Sequence, residues 1–309
     1  MKTITAMLAG AASLLATGAL AQQIAIPGAR LFPESVTSDK SGAVIFGTLG
    51  GGGIYRAAPG QNTATLWIDP QVSGMTAVTG VYADDASNTL YACSVVFPPN
   101  TPHGPEKENV RTFDLKTGKA KATYPMPLGE KSFCNDIAVD KGGNTYATDT
   151  PSGAIHRLKK NGSALELWVQ DDALKGVDGV ALGGDGNLYV NNVNAGKMFR
   201  IVIKPDGSAG ALTELTPSLK LARPDGLRAL GGMRFLQAEG GAGRITVVTV
   251  SGDQAEITPI KEGVPGFSAM TVARGKVWAV NAKLAYMNSP ALKDKDPGEF
   301  SAEAVDLPK

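Results

Sequence analysis

Six polar residues recur along the chain at nearly regular intervals and have the chemistry of a cation site. They are Glu34, Thr79, Asn135, Asp178, Asp225 and Ser268, and each stands just before an apolar run. Three of them are carboxylic acids, which repel one another when they are held close together unless a cation lies between them. All their donor atoms are oxygens, which favour a hard ion such as Ca2+. The alternative is that they are turn residues, since Asp, Asn and Ser often begin strands through local hydrogen bonds with the backbone.

The segments that carry these residues resemble one another and define an internal repeat. Successive members are separated by 45, 56, 43, 47 and 43 residues, and each segment has the pattern strand, turn of Gly, Asn or Asp, strand. A period near 45 residues with three or four strands is typical of a propeller blade. The sequence therefore predicts an all-β fold, a six-bladed β-propeller with four-stranded blades around a central channel, in which the six polar residues form a ring. We expect residues 24–26 to pair beside residues 303–305, because this ring closure removes free strand edges.

The overall composition is that of a neutral globular protein. The 309 residues include 30 Lys and Arg against 29 Asp and Glu, so the net charge of +1 argues against nucleic acid or an anionic membrane as a main partner. At the N-terminus, Lys2 precedes an apolar stretch that ends in Ala19-Leu20-Ala21, the pattern of a cleaved secretory signal. The sequence predicts residues 1–21 as a signal peptide, residues 22–309 as a single propeller domain with no membrane span, and a periplasmic or secreted location.

The chain has two cysteines, Cys93 and Cys134. An exported protein meets an oxidising compartment, where such a pair forms a disulfide if the two Cα atoms lie close enough. Two buried thiols are the alternative, because free cysteine packs as a small apolar residue. The sequence leaves both open.

Several other catalytic arrangements are excluded by the residues present. With only His103 and His156 in the chain, a three-His zinc site is impossible, and HExxH and Gly-x-Ser-x-Gly motifs are absent. His103 lies in a Pro-rich insertion at 97–109, which is either a lid from which His103 contacts the substrate or a variable surface loop. His156 falls in an alternating run and is predicted to lie on a blade surface. The remaining aspartates of the repeats are interpreted as turn residues: Asp136, Asp140, Asp149 and Asp185.

Three phrases within the repeat resemble those of the superfamily of six-bladed propellers that contains senescence marker protein, gluconolactonase and luciferin-regenerating enzyme. The phrases are Phe133-Cys-Asn-Asp-Ile-Ala-Val-Asp, Val177-Asp-Gly-Val-Ala-Leu and Arg223-Pro-Asp-Gly-Leu, and the resemblance covers nearly the whole chain after residue 21. It implies one divalent cation at the channel mouth, Ca2+ in first place with Mg2+, Mn2+ or Zn2+ as alternatives. The ligands that it implies are Glu34, Asn135, Asp178 and Asp225.

The chain departs from this superfamily at two positions. Asp178 stands where the family usually has Asn, which adds negative charge beside the cation. Phe133 occupies the position, two before Asn135, where the sugar-lactone enzymes often have a basic residue. The resemblance therefore implies a substrate less polar than a polyol lactone.

The activity that the resemblance implies is cation-dependent hydrolysis of a lactone, which is a cyclic ester. Asp225 would position or deprotonate the attacking water. The small-molecule lactone or ester would contact the side chains around the mouth: Thr79, His103, Phe133, Asn135 and Ser268. One alternative is a non-catalytic propeller that binds a ligand or a partner at the same mouth. Another is a metal-independent enzyme of the strictosidine-synthase-like type, against which the three ring carboxylates argue.

Overall fold

Six antiparallel sheets surround a central channel in the computed structural model, which describes residues 22–96 and 108–307. The prediction of an all-β, six-bladed propeller is confirmed. The first strand along the chain, β1 (Gln23–Ile26), belongs to the last blade. The predicted signal peptide and most of the Pro-rich insertion, including His103, lie outside the described residues.

The strands of the first three blades follow one another along the chain. Blade 1 consists of β2 (Pro33–Ser38), β3 (Val44–Thr48), β4 (Ile54–Ala57) and β5 (Thr65–Ile68). Blade 2 consists of β6 (Ala77–Asp84), β7 (Thr89–Val95), β8 (Asn109–Asp114) and β9 (Ala120–Pro125). Blade 3 consists of β10 (Cys134–Val139), β11 (Thr145–Asp149), β12 (Ala154–Leu158) and β13 (Leu165–Gln170).

The last three blades include one five-stranded sheet. Blade 4 consists of β14 (Val177–Leu182), β15 (Leu188–Asn192), β16 (Lys197–Ile203) and β17 (Ala209–Glu214). Blade 5 consists of β18 (Thr216–Pro217), β19 (Pro224–Gly231), β20 (Arg234–Glu239), β21 (Arg244–Ser251) and β22 (Gln254–Lys261). Blade 6 consists of β23 (Phe267–Ala273), β24 (Lys276–Asn281), β25 (Phe300–Val305) and β1.

Helical segments in the described part of the chain are short. They are α1 (Pro70–Ser73), α2 (Ala285–Asn288) and two 3₁₀ turns at Gly129–Lys131 and Asp172–Leu174. None of these helices has the length and hydropathy of a membrane-spanning segment.

The ring closes through pairing of the two chain ends. Strand β1 is antiparallel to β25, with Ile24 opposite Ala302 and Gln23 opposite Glu303, as the sequence predicted. The innermost strands β2, β6, β10, β14, β19 and β23 contact one another in turn around the channel. Apolar side chains fill the space between blades, and the largest of them, Trp278, is fully buried.

Blade 5 differs from the predicted four-stranded pattern by its extra strand β18. This segment runs parallel to β22, with Thr216 opposite Gln254. The amide of Thr216 donates to the carbonyl of Asp253, and that of Ser218 donates to the carbonyl of Ala255. The connection from blade 4 therefore covers an outer edge that would otherwise be unpaired.

The turn chemistry of the repeat explains why the first hairpin of each blade forms. In blade 3, the amide of Gly143 donates to the carbonyl of Asp140, whose carboxylate accepts the amide of Asn144. Gly143 has φ of 87°, and Gly186 has φ of 80° at the equivalent place in blade 4. Glycine occupies these positions because a left-handed backbone is costly for other residues. Asp140 and Asp185 are turn residues, as interpreted from the sequence.

A disulfide joins Cys93 to Cys134, which decides the question that the sequence left open. The two Cα atoms are 5.4 Å apart, and both residues are fully buried. Cys93 lies in β7 of blade 2, whereas Cys134 begins β10 of blade 3, directly before Asn135. The bond therefore links two neighbouring blades at the entrance to the predicted site.

We expect the double substitution Cys93→Ala and Cys134→Ala to lower the free energy of unfolding by about 2–4 kcal/mol, because the bridge restricts the unfolded chain across 41 residues. Urea unfolding of the oxidised protein and of the variant measures this difference. The wild type unfolded in a thiol reductant should match the variant. Equal midpoints for the oxidised protein and the variant would contradict a stabilising role.

Candidate functional site

A β-bulge near the start of every innermost strand releases one or two residues from the ladder. In β10 the pairing jumps from Cys134 to Ile137, and in β14 it jumps from Val177 to Val180. The same interruption occurs in the other four inner strands. Bulges reorient side chains and are common beside functional sites. The released residues include the whole predicted ring: Glu34, Thr79, Asn135, Asp178, Asp225 and Ser268.

Five of the six ring residues line one small cavity in the channel, with a volume of about 10 Å3. They are Glu34, Asn135, Asp178, Asp225 and Ser268. The side-chain nitrogen Nδ2 of Asn135 donates to Asp178 Oδ2 at 3.0 Å and to Thr150 Oγ1 at 2.9 Å. Thr79 is turned away, because its hydroxyl donates to the carbonyl of Cys134 at 2.7 Å. The ring therefore presents three carboxylates, one amide and one hydroxyl to the same space.

Glycine after the ring residue lets neighbouring blades approach each other. A Cβ on Gly179 would clash with the carbonyl oxygen of Asp225, and a Cβ on Gly80 would clash with that of Asn135. The Asp-Gly phrase of the repeat thus has a steric cause. The glycine of one blade makes room for the ring residue of the next.

Side chains of the second strands satisfy the backbone groups that the bulges leave unpaired. Thr148 Oγ1 accepts the amide of Asp136 at 2.9 Å and donates to the carbonyl of Asp178 at 2.7 Å. In the next blade, Asn191 accepts the amide of Gly179 at 2.9 Å and donates to the carbonyl of Asp225 at 2.6 Å. Each side chain therefore fixes a bulge in its own blade and a ring residue in the following one. Buried backbone groups of this kind are costly to leave unpaired.

The pKa values of the three ring carboxyls are all raised. Burial, followed by the charge of Asp136, raises the pKa of Asp178 to about 8. Burial and then the charge of Asp178 raise the pKa of Glu34 well above its usual value. Burial raises the pKa of Asp225 as well, with further contributions from Asp178 and Glu34. The three groups therefore share one electrostatic environment in which a positive charge would be stabilised.

One guanidinium crosses the channel directly beneath this ring. Arg228 donates to Asp136 Oδ2 at 2.6 Å and to the carbonyl of Leu227 at 2.9 Å. Its other terminal nitrogen donates to the carbonyl of Val81 at 3.2 Å and lies 3.5 Å from Ser35 Oγ. A single side chain of blade 5 thus reaches blades 1, 2 and 3, and it separates the ring cavity from a lower cavity of about 220 Å3. The interpretation of Asp136 as a turn residue is wrong, since it is a buried ion-pair partner inside the channel.

The placement of His156 also differs from the prediction. It is fully buried, and its Nε2 lies 3.1 Å from Oδ2 of the equally buried Asp149. The other carboxylate oxygen of Asp149 accepts the amide of Phe133 at 3.0 Å. Burial alone would raise the pKa of Asp149, but the hydrogen bonds from His156 and Phe133 hold it below its usual value. Asp149 gives the buried Nε2 of His156 a charged partner, whereas Nδ1 has no hydrogen-bond partner among the described residues. Through the bond from the Phe133 amide to Asp149, the pair also holds the segment that leads into Asn135.

The donor set decides whether a divalent cation fits here. Within the parts of the chain that the structure describes, no three or more His, Cys, Asp and Glu side chains form a ready-made metal cluster. A cation at the ring would therefore also need the neutral oxygens of Asn135 and Ser268. The Ser268 hydroxyl is buried and has no hydrogen-bond partner. An oxygen-only set with raised carboxyl pKa values and an orphaned hydroxyl fits a hard cation.

Sequence reasoning missed Arg228 and the role of Asp136, although both break the repeat. Asp136 follows Asn135 where Gly80, Gly179 and Gly226 follow the ring residues of other blades. Arg228 stands three residues after its ring residue, where the equivalent residues of the other blades are uncharged: Thr37, Tyr82, Ala138, Ala181 and Thr271. Alignment of the repeats position by position contains both signals.

Solved structures of several enzymes share this fold. The chain matches no family model, and no curated protein matches it. A gluconolactonase from Xanthomonas campestris has a TM-score of 0.65 and 16% identity, covering 92% of this chain and 88% of that one. A luciferin-regenerating enzyme has a TM-score of 0.62 and 12% identity over 93% of each chain. Virginiamycin B lyase from Staphylococcus aureus has a TM-score of 0.58 and 16% identity, covering 93% of this chain and 99% of that one.

These likenesses show that the chain shares its overall fold with these proteins. The gluconolactonase and the luciferin-regenerating enzyme are proteins of the kind that the sequence phrases resemble. At this level of identity the shared property is the fold, and a fold by itself accommodates different chemistries. The ring residues of this chain must therefore carry any argument about its function.

We expect Arg228→Met to lower the free energy of unfolding by about 3–5 kcal/mol, because it leaves the buried Asp136 carboxylate without its partner. Urea unfolding of Arg228→Met, Asp136→Asn and the double variant forms a double-mutant cycle. The double variant should cost less than the two single changes together, since it removes both charges. Arg200→Met is a suitable control because the Arg200 pair with Asp253 is more exposed, and we expect a cost below about 1 kcal/mol. Additive costs in the cycle would contradict the ion pair.

Proposed function

We propose that this protein is an exported hydrolase that opens a lactone with one divalent cation, in first place Ca2+. The observation that carries this proposal is the convergence of Glu34, Asp178 and Asp225 on one cavity that also includes Asn135. Residues 1–21 would direct export and then be removed. The shared fold with a gluconolactonase supports the proposal.

Glu34, Asn135, Asp178 and Asp225 would hold the cation, with the Ser268 hydroxyl beside them. The chemistry that a divalent cation held by these residues would supply is polarisation of the ester carbonyl and stabilisation of the negative charge that develops on its oxygen. The chain itself contributes the fixed positions of these side chains. Thr148 and Asn191 supply that rigidity by holding the carbonyls of Asp178 and Asp225.

Asp225 is the proposed general base. It is only partly buried, so water at the channel mouth can reach it. Burial and the neighbouring carboxyls raise the pKa of Asp225. A positive charge at the ring would lower that pKa and keep the carboxylate in the ionised form that accepts a proton. In this role Asp225 orients a water molecule and takes its proton as the water attacks the ester carbonyl.

Phe133 shapes the substrate side of the mouth. It is partly exposed, lies two residues before Asn135, and packs against the largest apolar cluster of the molecule. An aromatic wall at this position favours an apolar portion of the substrate over a polyol. Aliphatic or aromatic lactones are therefore better candidates than gluconolactone.

Removal of the cation should abolish hydrolysis. Protein lacking residues 1–21 is stripped with a chelator and assayed against aliphatic, aromatic and sugar lactones, alone and after addition of Ca2+, Mg2+, Mn2+ or Zn2+. We expect turnover to disappear with the chelator and to return with one of the four ions. Unchanged turnover in the stripped protein would contradict a metal-dependent mechanism, and tight cation binding without turnover of any lactone would favour a binding propeller.

Substitution of the proposed base should affect the rate more than the fold. We expect Asp225→Asn to lower kcat at least about 100-fold, the usual magnitude for loss of a general base, while thermal unfolding is unchanged or slightly improved. Asp185→Asn is the matched control, because Asp185 is an exposed turn aspartate of blade 4. We expect the control to keep its kcat within about twofold of the wild type. An Asp225→Asn variant with full activity would eliminate Asp225 as the base.

A further inference from the structure

The residue two positions before the ring residue has a left-handed backbone in four of the six blades. In blades 4 and 6 it is glycine, Gly176 with φ of 98° and Gly266 with φ of 95°. In blades 1 and 5 it is Phe32 with φ of 47° and Arg223 with φ of 50°. A side chain at such a backbone carries a conformational cost that glycine avoids. Blades 1 and 5 therefore keep a side chain where the fold would accept glycine.

Packing explains why blade 1 keeps the side chain of Phe32 at this position, but it does not explain why blade 5 keeps that of Arg223. Phe32 is buried, and its ring contacts that of Phe300 edge to face with centroids 5.4 Å apart. Arg223 is exposed, and its guanidinium forms no hydrogen bond or ion pair with any residue of the segments 22–96 and 108–307. The Arg223 guanidinium therefore makes no hydrogen bond or ion pair within the described residues that would stabilise the blade.

The surrounding blade imposes the unusual backbone of Arg223. The amide of Gly240 donates to the carbonyl of Arg223 at 3.1 Å. The amide of the preceding Ala222 donates to Glu239 Oε2 at 2.9 Å, and Glu239 is fully buried and paired with Arg244. These bonds fix the direction in which the chain enters β19. Backbone strain that is held in this way is commonly found at functional sites.

Arg223 lies two residues before Asp225, which lines the acidic cavity. It directly precedes Pro224, the first residue of β19, and Asp225 is the second residue of the same strand. Its position therefore holds a positive charge close to the ring carboxyl of Asp225. A divalent cation would offset two of the three ring carboxylates, and Arg223 would offset the third. An anionic substrate could then approach the mouth without net repulsion.

We propose that Arg223 is a substrate-binding residue that pairs with a carboxylate group, and that the substrate is a lactone bearing a carboxylate next to its ring. This inference rests on the proposed lactone hydrolysis. The planar guanidinium matches a carboxylate with two parallel hydrogen bonds, which fixes orientation as well as affinity. The ring carbonyl of such a substrate lies over Asp225 while its carboxylate lies against Arg223. Phe133, on the entry to blade 3, faces the apolar portion.

The test compares two lactones that differ at one substituent. The probes are 5-oxotetrahydrofuran-2-carboxylate and γ-valerolactone, which carries a methyl group in place of the carboxylate. In the Ca2+-loaded wild type we expect the carboxylate lactone to have the higher kcat/KM. Arg223→Gln should lower that value about 10- to 100-fold, mainly through KM, and should change the value for γ-valerolactone less than about threefold. Arg223→Lys should retain part of the preference.

Two further variants separate substrate binding from folding. Arg223→Gly removes the charge and the strain together, as Gly176 and Gly266 show, so it should fold at least as stably as the wild type and lose the same preference. Arg234→Gln removes the same charge from the opposite end of the β19–β20 hairpin and should leave both lactones unaffected. An equal loss for both lactones in Arg223→Gln, or a wild-type preference for γ-valerolactone, would overturn the proposal.

Failure of the hydrolase proposal can be distinguished from failure of the Arg223 proposal. If the wild type hydrolyses neither these two probes nor any lactone of the panel described above, the hydrolase proposal fails, and calorimetric titration of the two intact probes then tests Arg223 alone. Weaker binding of the carboxylate lactone to Arg223→Gln than to the wild type, with no change for γ-valerolactone, supports the carboxylate contact. Equal binding of the carboxylate lactone to both proteins overturns it.

Discussion

Repulsion between like charges in a narrow channel is the constraint on which the rest of this structure depends. Glu34, Asp136, Asp178 and Asp225 line the same buried space. One positive charge, Arg228, pairs directly with Asp136 at 2.6 Å. The other three carboxyls have raised pKa values, which means that their negative charge is poorly stabilised by the protein alone. The channel thus has a neutralised lower layer and an upper layer that favours a cation.

Close approach of these groups requires an accommodating backbone. Each inner strand carries a bulge that frees its ring residue, and Gly179 allows the carbonyl of Asp225 to come near. The hydrogen bonds of Thr148 and Asn191 then connect each bulge to the next blade. The same hydrogen bonds therefore hold the ring carboxyls in place and connect neighbouring blades. Loosening one blade would move the ring residue of its neighbour.

The sequence predicted the fold and the ring because both repeat. Alternation of polar and apolar residues sets the strands, and a period near 45 residues sets the blades. Features that depend on the distance between blades were not predictable in this way. The bond between Cys93 and Cys134 depends on a Cα separation of 5.4 Å, and the burial of His156 depends on Asp149 as a partner. The signal peptide, the cation and the role of His103 remain predictions from the sequence.

In a repeated scaffold, the positions that depart from the repeat carry the most information about function. A shared residue such as the glycine that follows the ring residue in blades 2, 4 and 5 reports a requirement of the fold, since it lets the backbone of the next blade come close. Asp136, Arg228 and Arg223 are charged residues at positions where the other blades have glycine or uncharged residues. Asp136 and Arg228 pair with each other and so explain each other. Arg223 has no hydrogen-bond or ion-pair partner in the described part of the chain and keeps a strained backbone, and this combination is the reason that we propose a substrate carboxylate as its partner.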